Sequence, residues 1–300
     1  MNIFKIENTS LVEIQEKPFK LEREIQALFE GNLQTIMGLT LVRSEFTIKN
    51  KRIDTLAYDK QAKAFIIIEY KRDKNISVVD QGFTYLSLML ENKADFIVEY
   101  NEQLKCNLQR TDVDWSQTRV AFVSPSFTEN QILATNFKDI AIELWEVKRY
   151  SNDTVAINEL KKSRSAESIK PLAQQNAEFK RVADEIKVYT EDKHLDYASE
   201  EIAELYEKFK SATLNLADDI EVKPQKDYIA FKKDRNIVCY ELQKKQMKIF
   251  IGAKWGSIED SKGLARDVSE VGHFGTGDYQ IQVDSDQDLE YIMSLIKQVL

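Results

Sequence analysis

The chain has 300 residues, 43% of them hydrophobic and 31% charged, and a formal net charge of −8 at pH 7. This length suits one large domain or two ordinary ones, and no apolar run approaches the ~18 residues of a membrane helix. Two cysteines and two histidines argue against a zinc finger, a disulfide framework or a histidine-based metal site. We therefore expect a cytoplasmic protein without membrane contact, whose carboxylates would hold any metal, which favours Mg²⁺ or Mn²⁺.

The first half of the chain predicts a mixed sheet with helices on its faces. Three of its strands follow one another with connections too short for crossover helices, so they should form an antiparallel meander. The predicted elements are a strand or arm at 1–17, a helix at 19–37, strands at 39–48, 52–58 and 64–71, helices at 77–91 and 94–104, a strand at 119–123, a helix at 128–137 and a strand at 140–148.

The polar stretch 151–170 lacks a clear period and marks a predicted domain boundary. We expect a first domain over residues 1–160, a charged helical linker over 161–195 and a smaller α+β domain over 196–300. Within the last domain, Ser285 and Asp288 predict a variant capping box for the closing helix. The other predicted elements there are a helix at 199–216, a four-stranded antiparallel sheet at 228–231, 237–242, 247–253 and 279–283, and the closing helix at 286–300.

Charge is spread unevenly along the chain. Residues 43–74 carry nine Lys/Arg against five Asp/Glu, and residues 223–248 carry eight against three. Residues 184–207 carry two against nine. Acidity is thus concentrated in one helical stretch, and the two basic segments are free to face phosphate groups.

The run 65–71 is apolar until it reaches Glu69 and Lys71, which should point to the same side of a strand. If the preceding hairpin is symmetric about residues 61 and 62, Asp54 lies directly across from Glu69, with Cβ atoms roughly 4.5–5.5 Å apart. Two carboxylates at that distance repel each other unless a cation lies between them. The pattern therefore predicts a metal site held by Asp54 and Glu69, with the Ile68 backbone carbonyl as an extra ligand and Lys71 steering or deprotonating a water.

Asp54 followed by Ile68-Glu69-Tyr70-Lys71 resembles the PD-(D/E)XK nuclease superfamily, whose core is a helix, a three-strand meander, a helix and a strand. Gln81 and Tyr85 resemble the Gln-x-x-x-Tyr motif of the RecB-type branch, and segments 44–46, 52–56 and 67–71 are similar to NucS-type endonucleases. The resemblance covers roughly residues 19–150. One departure is Ile53, which stands where the superfamily has a proline before the aspartate.

The resemblance implies an α/β (α+β) fold with a restriction-endonuclease-like mixed sheet, and a metal-dependent DNA endonuclease that uses Mg²⁺ or Mn²⁺. It implies DNA as the partner and leaves a homodimer open. The superfamily's helix glutamate maps to Glu24, or else to Glu22. The remaining implied roles are metal ligation by Asp54 and Glu69, catalysis by Lys71 and Gln81, and nucleic-acid contact by Arg52, Arg72, Lys74 and Tyr85.

The C-terminal domain resembles an uncharacterised domain often joined to such nuclease-like domains, which supplies no activity. Its candidate site is the glycine-bearing segment with His273 and Asp278, for which a plain turn is the simpler interpretation.

Structural alternatives stand beside the nuclease hypothesis. Asp54 and Glu69 can also be read as strand-end carboxylates that pair with Arg52 or Lys71. Gln81 can be read as an ordinary polar residue, and Tyr85 as an aromatic residue of the core. At the level of function, the runner-up is a catalytically silent nuclease-fold protein that binds nucleic acid or a protein partner.

Overall fold

The computed structural model describes residues 3–72, 77–163, 166–173, 177–187, 189–233 and 235–300. The chain divides into two compact units, Met1–Val188 and Tyr189–Leu300. Most of the stretch expected to be a linker, residues 161–188, therefore lies in the first unit, where Val182 and Ile186 join its core. Residues 189–195 open the second unit.

The first unit is built on a six-stranded mixed sheet in the order β3-β4-β5-β6-β7-β8. Neighbouring strands run antiparallel from β3 to β5, parallel from β5 to β7, and antiparallel again at β8. Its elements are β1 (Ile3–Glu7), β2 (Ser10–Ile14), α1 (Glu22–Gly31), α2 (Leu33–Met37), β3 (Thr40–Ile48), β4 (Lys51–Asp59), β5 (Ala64–Tyr70), α3 (Val78–Glu91), α4 (Lys93–Leu104), β6 (Arg119–Ser124), α5 (Glu129–Thr135), β7 (Ile142–Arg149), β8 (Val155–Glu159), α6 (Lys170–Ala173) and α7 (Ala177–Glu185).

Helices cover both faces of this sheet, and the predicted antiparallel meander is confirmed. One face packs around Leu86 and Phe122, and the other around Phe29 and Ile66. Strand β5 lies in the centre, and all of its residues are buried. A strand buried on both faces reads as a continuous apolar run, which is why residues 65–68 are all apolar.

Two details of the first unit differ from the sequence prediction. The single helix expected at 19–37 is two helices, because Asn32 leaves the helical conformation with φ −132° and its side-chain amide donates to the Leu28 carbonyl at 2.9 Å. Strand β8 lies in the stretch expected to be irregular. As an edge strand it pairs only with β7, and its residues are half-buried or exposed, so its sequence lacks a clear alternation.

The second unit has a six-stranded antiparallel sheet in the order β13-β14-β12-β11-β10-β9, so the predicted four-stranded sheet is wrong in its strand number. The two additional strands, β9 and β13, are short edge strands of four and two residues with little apolar pattern. Its elements are α8 (Glu191–Leu195), α9 (Glu200–Leu214), β9 (Glu221–Pro224), β10 (Ile229–Lys232), β11 (Asn236–Leu242), β12 (Met247–Ile251), β13 (Arg266–Asp267), β14 (Tyr279–Val283) and α10 (Leu289–Lys297).

Helices α9 and α10 share one apolar core with this sheet, with Phe209, Tyr240 and Ile292 fully buried. The predicted capping box of the last helix is wrong. Asp288 is itself the N-cap residue, and its side chain makes no capping hydrogen bond. Among the described residues, no helix has the length and apolar character needed to cross a bilayer.

Candidate active site

The candidate site lies where strands β4 and β5 separate. Thr55 pairs with Ile68, so the next step along the hairpin sets Asp54 opposite Glu69, and the predicted register is confirmed. The Tyr70 N–H donates to Asp54 Oδ2 at 3.1 Å. The Asp54 carboxylate thus takes over from the β4 backbone as the acceptor at this end of the ladder.

The side-chain alternation of β4 is interrupted at Asp54, an irregularity called the kink. Ile53 and Leu56 belong to the same apolar cluster although they are three residues apart, so the strict in–out alternation breaks between them. On β3, Glu45 adopts a left-handed φ of 53° between the pairs that flank Asp54. Such irregularities re-aim a side chain next to a site. The Gln26 side-chain amide, from α1, donates to the Asp54 backbone carbonyl at 3.0 Å and holds this kink.

Glu69 is the most enclosed carboxylate of the site, with 5% of the residue exposed. Its Oε1 accepts from Lys71 Nζ at 2.7 Å and from Gln81 Nε2 at 2.8 Å, and its Oε2 accepts from the Tyr85 hydroxyl at 3.0 Å. The structure therefore brings all four side chains together. Lys71 lies on the same side as Glu69, as strand alternation requires.

Helix α3 delivers Gln81 and Tyr85 to the site. The two residues are one helical turn apart on the same face, and Gln81 Nε2 also contacts the Tyr85 hydroxyl at 3.2 Å. Between them, Gly82 packs on the sheet so closely that an added Cβ would lie 2.4 Å from Ile142 Cδ1. A larger residue at 82 would therefore force either the Ile142 side chain or the helix that carries Gln81 and Tyr85 to shift.

The surroundings of the site shift the pKa values of Asp54 and Tyr85. Burial, together with the negative charge of Glu69, raises the pKa of Asp54 from the ordinary 3.8 to about 6. The Tyr70 N–H and the Lys71 ammonium oppose this increase only in part. Burial and the Glu69 charge also raise the pKa of the Tyr85 hydroxyl, so it remains a hydrogen-bond donor at neutral pH.

The two helix glutamates considered from the sequence bind elsewhere in this structure. Glu24 Oε2 accepts from the Lys20 N–H at 3.0 Å and forms an ion pair with Arg149 at 3.4 Å. Glu22 Oε1 accepts from the Arg72 N–H at 3.0 Å. Assignment of either one as a metal ligand stays a prediction.

The predicted nucleic-acid contacts are distributed around the site. Arg52 forms an ion pair with Glu45 at 2.7 Å, and Arg72 donates to the Lys20 backbone carbonyl at 3.0 Å. Lys74 lies outside the described residues. Ile68, whose carbonyl was expected to be a ligand, is paired in the sheet with a residue on either side.

In the second unit, both candidate side chains bind their own loops. The two ring nitrogens of His273 contact the Val271 and Gly277 carbonyls at 2.8 and 3.0 Å, and the ring stacks on Phe250. Asp278 Oδ2 accepts from the Trp255 N–H at 2.9 Å. These contacts account for both residues as parts of the loop structure, and a ligand-binding role for them stays a prediction.

Sequence reasoning missed the polar network behind the kink. Gln26 Nε2 lies 3.1 Å from Glu30 Oε1 and 3.3 Å from Ser44 Oγ, besides its bond to the Asp54 carbonyl, and the Thr55 hydroxyl donates to Glu30. The only signal was a polar residue at a position of α1 that the helical period buries. Apart from Glu30, one helical turn away, its partners Ser44 and Asp54 lie 18 and 28 positions further along the chain, so the sequence alone does not connect them.

The donor chemistry of the site fits a hard divalent cation. Mg²⁺ commonly binds through one or two carboxylates and completes its shell with water and phosphate oxygens. Asp54 and Glu69 would supply those two carboxylates, and a cation would relieve the Glu69 repulsion that, together with burial, raises the pKa of Asp54. In the described part of the chain, no group of three or more His, Cys, Asp or Glu side chains is arranged to hold a metal. The pair is thus the minimum set for such an ion.

The whole chain has a clear relative. It is 55% identical over 300 residues to an uncharacterized protein of Haemophilus influenzae, and the match covers 100% of this chain and 99% of that protein. The chain belongs to the same family as this protein. Residues 191–298, which make up most of the second unit, match the family model described as a domain of unknown function, DUF5655.

Two solved structures are distantly similar. A repair endonuclease from Pyrococcus abyssi is 20% identical over 43% of this chain and 48% of its own, with a TM-score of 0.25. An EndoMS–dsDNA complex is 14% identical over 49% of this chain and 64% of its own, also with a TM-score of 0.25. The matches span less than two thirds of either solved chain. TM-scores this low assign no fold, so the site residues carry the functional proposal.

Proposed function

We propose that this protein is a metal-dependent DNA endonuclease that hydrolyses phosphodiester bonds at the Asp54–Glu69 site. The observation that carries the proposal is the convergence of Asp54, Glu69, Lys71, Gln81 and Tyr85 at one edge of the sheet. Burial and the nearby Glu69 charge raise the pKa of Asp54, and an ammonium and an amide lie beside Glu69. A cation site beside a positive side chain is a combination suited to metal-dependent phosphodiester hydrolysis.

Each side chain has a defined task in this proposal. Asp54 and Glu69 hold the cation, and Asp54 is fixed for this by the Tyr70 N–H. When bound, Mg²⁺ or Mn²⁺ polarises the phosphate and lowers the pKa of a coordinated water. The Lys71 ammonium faces the same space and offsets the charge that develops on the phosphate.

Gln81 and Tyr85 are proposed to exchange partners when DNA binds. In the free protein, the Gln81 amide and the Tyr85 hydroxyl both donate to Glu69. If Glu69 held a cation, it would need these donors less, and the Gln81 amide and Tyr85 hydroxyl would then be available to phosphate oxygens. The basic segment 43–74, with Arg52 and Arg72, supplies the nonspecific attraction for the DNA backbone.

One observation favours a second function, a catalytically silent protein that binds nucleic acid or a protein partner. Both oxygens of Glu69 are already hydrogen-bonded by Lys71, Gln81 and Tyr85. A closed network of this kind also serves as a rigid structural clamp without any cation. The two functions differ in whether divalent metal changes the protein.

The deciding experiment incubates the full chain with supercoiled, linear duplex, single-stranded and branched DNA, with Mg²⁺, Mn²⁺ or EDTA. We compare wild type with Asp54→Asn and Glu69→Gln, which keep the size of each side chain. Glu241→Gln is the matched control, because Glu241 is a largely buried strand glutamate that also accepts from a lysine, Lys248, and from a glutamine side chain. We expect metal-dependent cleavage by wild type and by the control only.

Two results would overturn the nuclease proposal. One is the absence of cleavage by wild type on every DNA form at high enzyme concentration with either metal. The other is equal cleavage by wild type and both site variants, which would indicate a contaminant. Salt-dependent DNA binding without cleavage would leave the silent binder as the function, because phosphate contact releases counterions.

A further inference from the structure

Strands β1 and β2 form a hairpin that exposes apolar side chains on both faces. Its exposed fractions are 46% for Phe4, 73% for Ile6, 66% for Leu11 and 46% for Val12. In the register of the hairpin, Ile6 lies opposite Leu11, so these two and Phe4 share one face, whereas Val12 lies on the other. Within the part of the chain that the structure describes, the two strands pair only with each other.

Among the described residues, the hydrogen bonds that anchor the hairpin lie at its base. The Lys17 N–H donates to the Arg149 carbonyl at 2.7 Å, and the Ser151 N–H donates to the Gln15 carbonyl at 2.9 Å. A lone two-stranded hairpin is marginally stable in water, and a long apolar edge strand invites pairing with another chain. The hairpin therefore needs a partner surface to become a stable element.

The free edge of β1 can be identified from the turn. Asn8 and Thr9 form a two-residue connection, with Asn8 at φ 56°, so Glu7 and Ser10 are a hydrogen-bonded pair. Hydrogen-bonded and non-hydrogen-bonded pairs alternate along antiparallel strands, so the odd-numbered residues of β1 turn their backbone groups toward β2. The N–H and C=O groups of the even-numbered residues, including Ile6, therefore point to the outer edge.

We propose that β1 pairs antiparallel with β1 of a second copy of this chain, about a two-fold axis at Ile6. An axis at Lys5 or at Glu7 would set like charges directly opposite each other, which is unfavourable. An axis at Phe4 would leave Lys5 opposite Ile3. Only the axis at Ile6 sets Lys5 of each copy opposite Glu7 of the other, and it uses backbone groups that the outer edge presents.

This pairing converts two exposed hairpins into one four-stranded sheet. A continuous aliphatic row then crosses its four strands, in the order Leu11 and Ile6 of one copy followed by Ile6 and Leu11 of the other. Within one copy, Lys5 and Glu7 form an ion pair at 3.0 Å, but both side chains are more than half exposed. A pair so exposed is weak, so it can exchange for the contact between copies. The proposal does not depend on the nuclease function.

Sedimentation velocity of the full chain over a wide concentration range tests the pairing. We expect a reversible wild-type dimer, and a dissociation constant raised about tenfold or more by Lys5→Glu, which replaces two opposite-charge contacts with two repulsive ones. The double variant Lys5→Glu/Glu7→Lys restores both contacts and should return the dissociation constant to near the wild-type value. Ile6→Lys should abolish the dimer, whereas Leu133→Lys, which alters an exposed leucine (59% exposed) on α5, should not.

A cross-link measures the register directly. Opposed residues in a hydrogen-bonded antiparallel pair have Cα atoms about 5.5 Å apart, within the range of a disulfide. In a Cys106→Ser background, Ile6→Cys should therefore oxidise to a covalent dimer. Val12→Cys, on the opposite face and the inner strand, should not. A wild-type monomer at all concentrations, a dimer insensitive to Ile6→Lys, or no rescue by the double charge swap would each overturn the proposal.

Discussion

Replacing Asp54 with Asn should stabilise the metal-free protein. The folded protein raises the pKa of Asp54 from 3.8 to about 6, so ionising this residue at neutral pH costs free energy. Roughly two pKa units correspond to about 3 kcal/mol, and because Asp54 is only partly buried, solvent screening reduces this to about 1–2 kcal/mol. Asn carries no charge, and its oxygen can still accept from the Tyr70 N–H.

The stability gained by Asp54→Asn should increase with pH. An unfolded chain ionises Asp54 near pH 3.8, whereas the folded protein does so near pH 6, so the folded state holds this proton more tightly. The contribution of Asp54 to stability is complete below about pH 4 and is lost as the pH rises through about 6. Asp54→Asn should therefore match wild type near pH 4 and exceed it by about 1–2 kcal/mol above pH 6.

Urea unfolding in EDTA measures this difference. Trp255 is in the second unit, so a Trp255→Phe background leaves Trp115 and Trp145 as reporters of the first unit alone. Millimolar Mg²⁺ should then raise the stability of wild type and not that of the variant, because only wild type retains both ligands. A variant less stable than wild type at neutral pH would refute the reasoning and would make Asp54 a structural residue.

Three further predictions concern other contacts. Burial alone would raise the pKa of Asp59, but the Arg119 guanidinium and two backbone N–H groups hold it below its ordinary value. Asp59→Asn should therefore cost about 2 kcal/mol of unfolding free energy at neutral pH. The cost should decrease progressively below about pH 4, and urea unfolding measures it. Gln26→Leu removes the side-chain donor that holds the site kink and should lower DNA cleavage about tenfold, whereas unchanged cleavage would show that the donor positions nothing. Gly277 has a φ of 99°, and Gly277→Ala would set a Cβ 1.8 Å from the Ile251 carbonyl oxygen. The unfolding free energy of the second unit should therefore fall by at least about 3 kcal/mol, measured by Trp fluorescence of that unit.

The geometry of the site was predictable where strand rules fix it. Alternation places Glu69 and Lys71 on one side of β5, and a short connection fixes the register that sets Asp54 opposite Glu69. The position of Gln81 and Tyr85 beside Glu69 was suggested only by the resemblance to the RecB-type motif. The distance between α3 and the sheet depends on Gly82, and a sequence shows the glycine but not the isoleucine it packs against.

The parts that escaped prediction depend on a single neighbour or on distant ones. Among the described residues, β8, β9 and β13 each have a single neighbouring strand and only five, four and two residues, too few for a clear alternation. The contact of Gln26 with the Asp54 carbonyl joins a helix and a strand whose residues are 28 positions apart, and the alternation rules of neither element predict it.

A second pair of carboxylates in the first unit, Asp59 and Glu143, can be compared with the candidate site. At the far ends of β4 and β6, Arg119 lies 3.0 Å from Asp59 and 2.6 Å from Glu143, and one guanidinium serves both carboxylates. There the pKa of Asp59 is lowered, as in a structural ion pair. At the candidate site, Lys71 forms its ion pair with Glu69, and burial and the Glu69 charge raise the pKa of Asp54 although Lys71 opposes this increase in part. Asp54 is thus only partly compensated, whereas Arg119 compensates both Asp59 and Glu143 at the other end of the sheet, and this difference fits the proposed binding of a cation at Asp54 and Glu69.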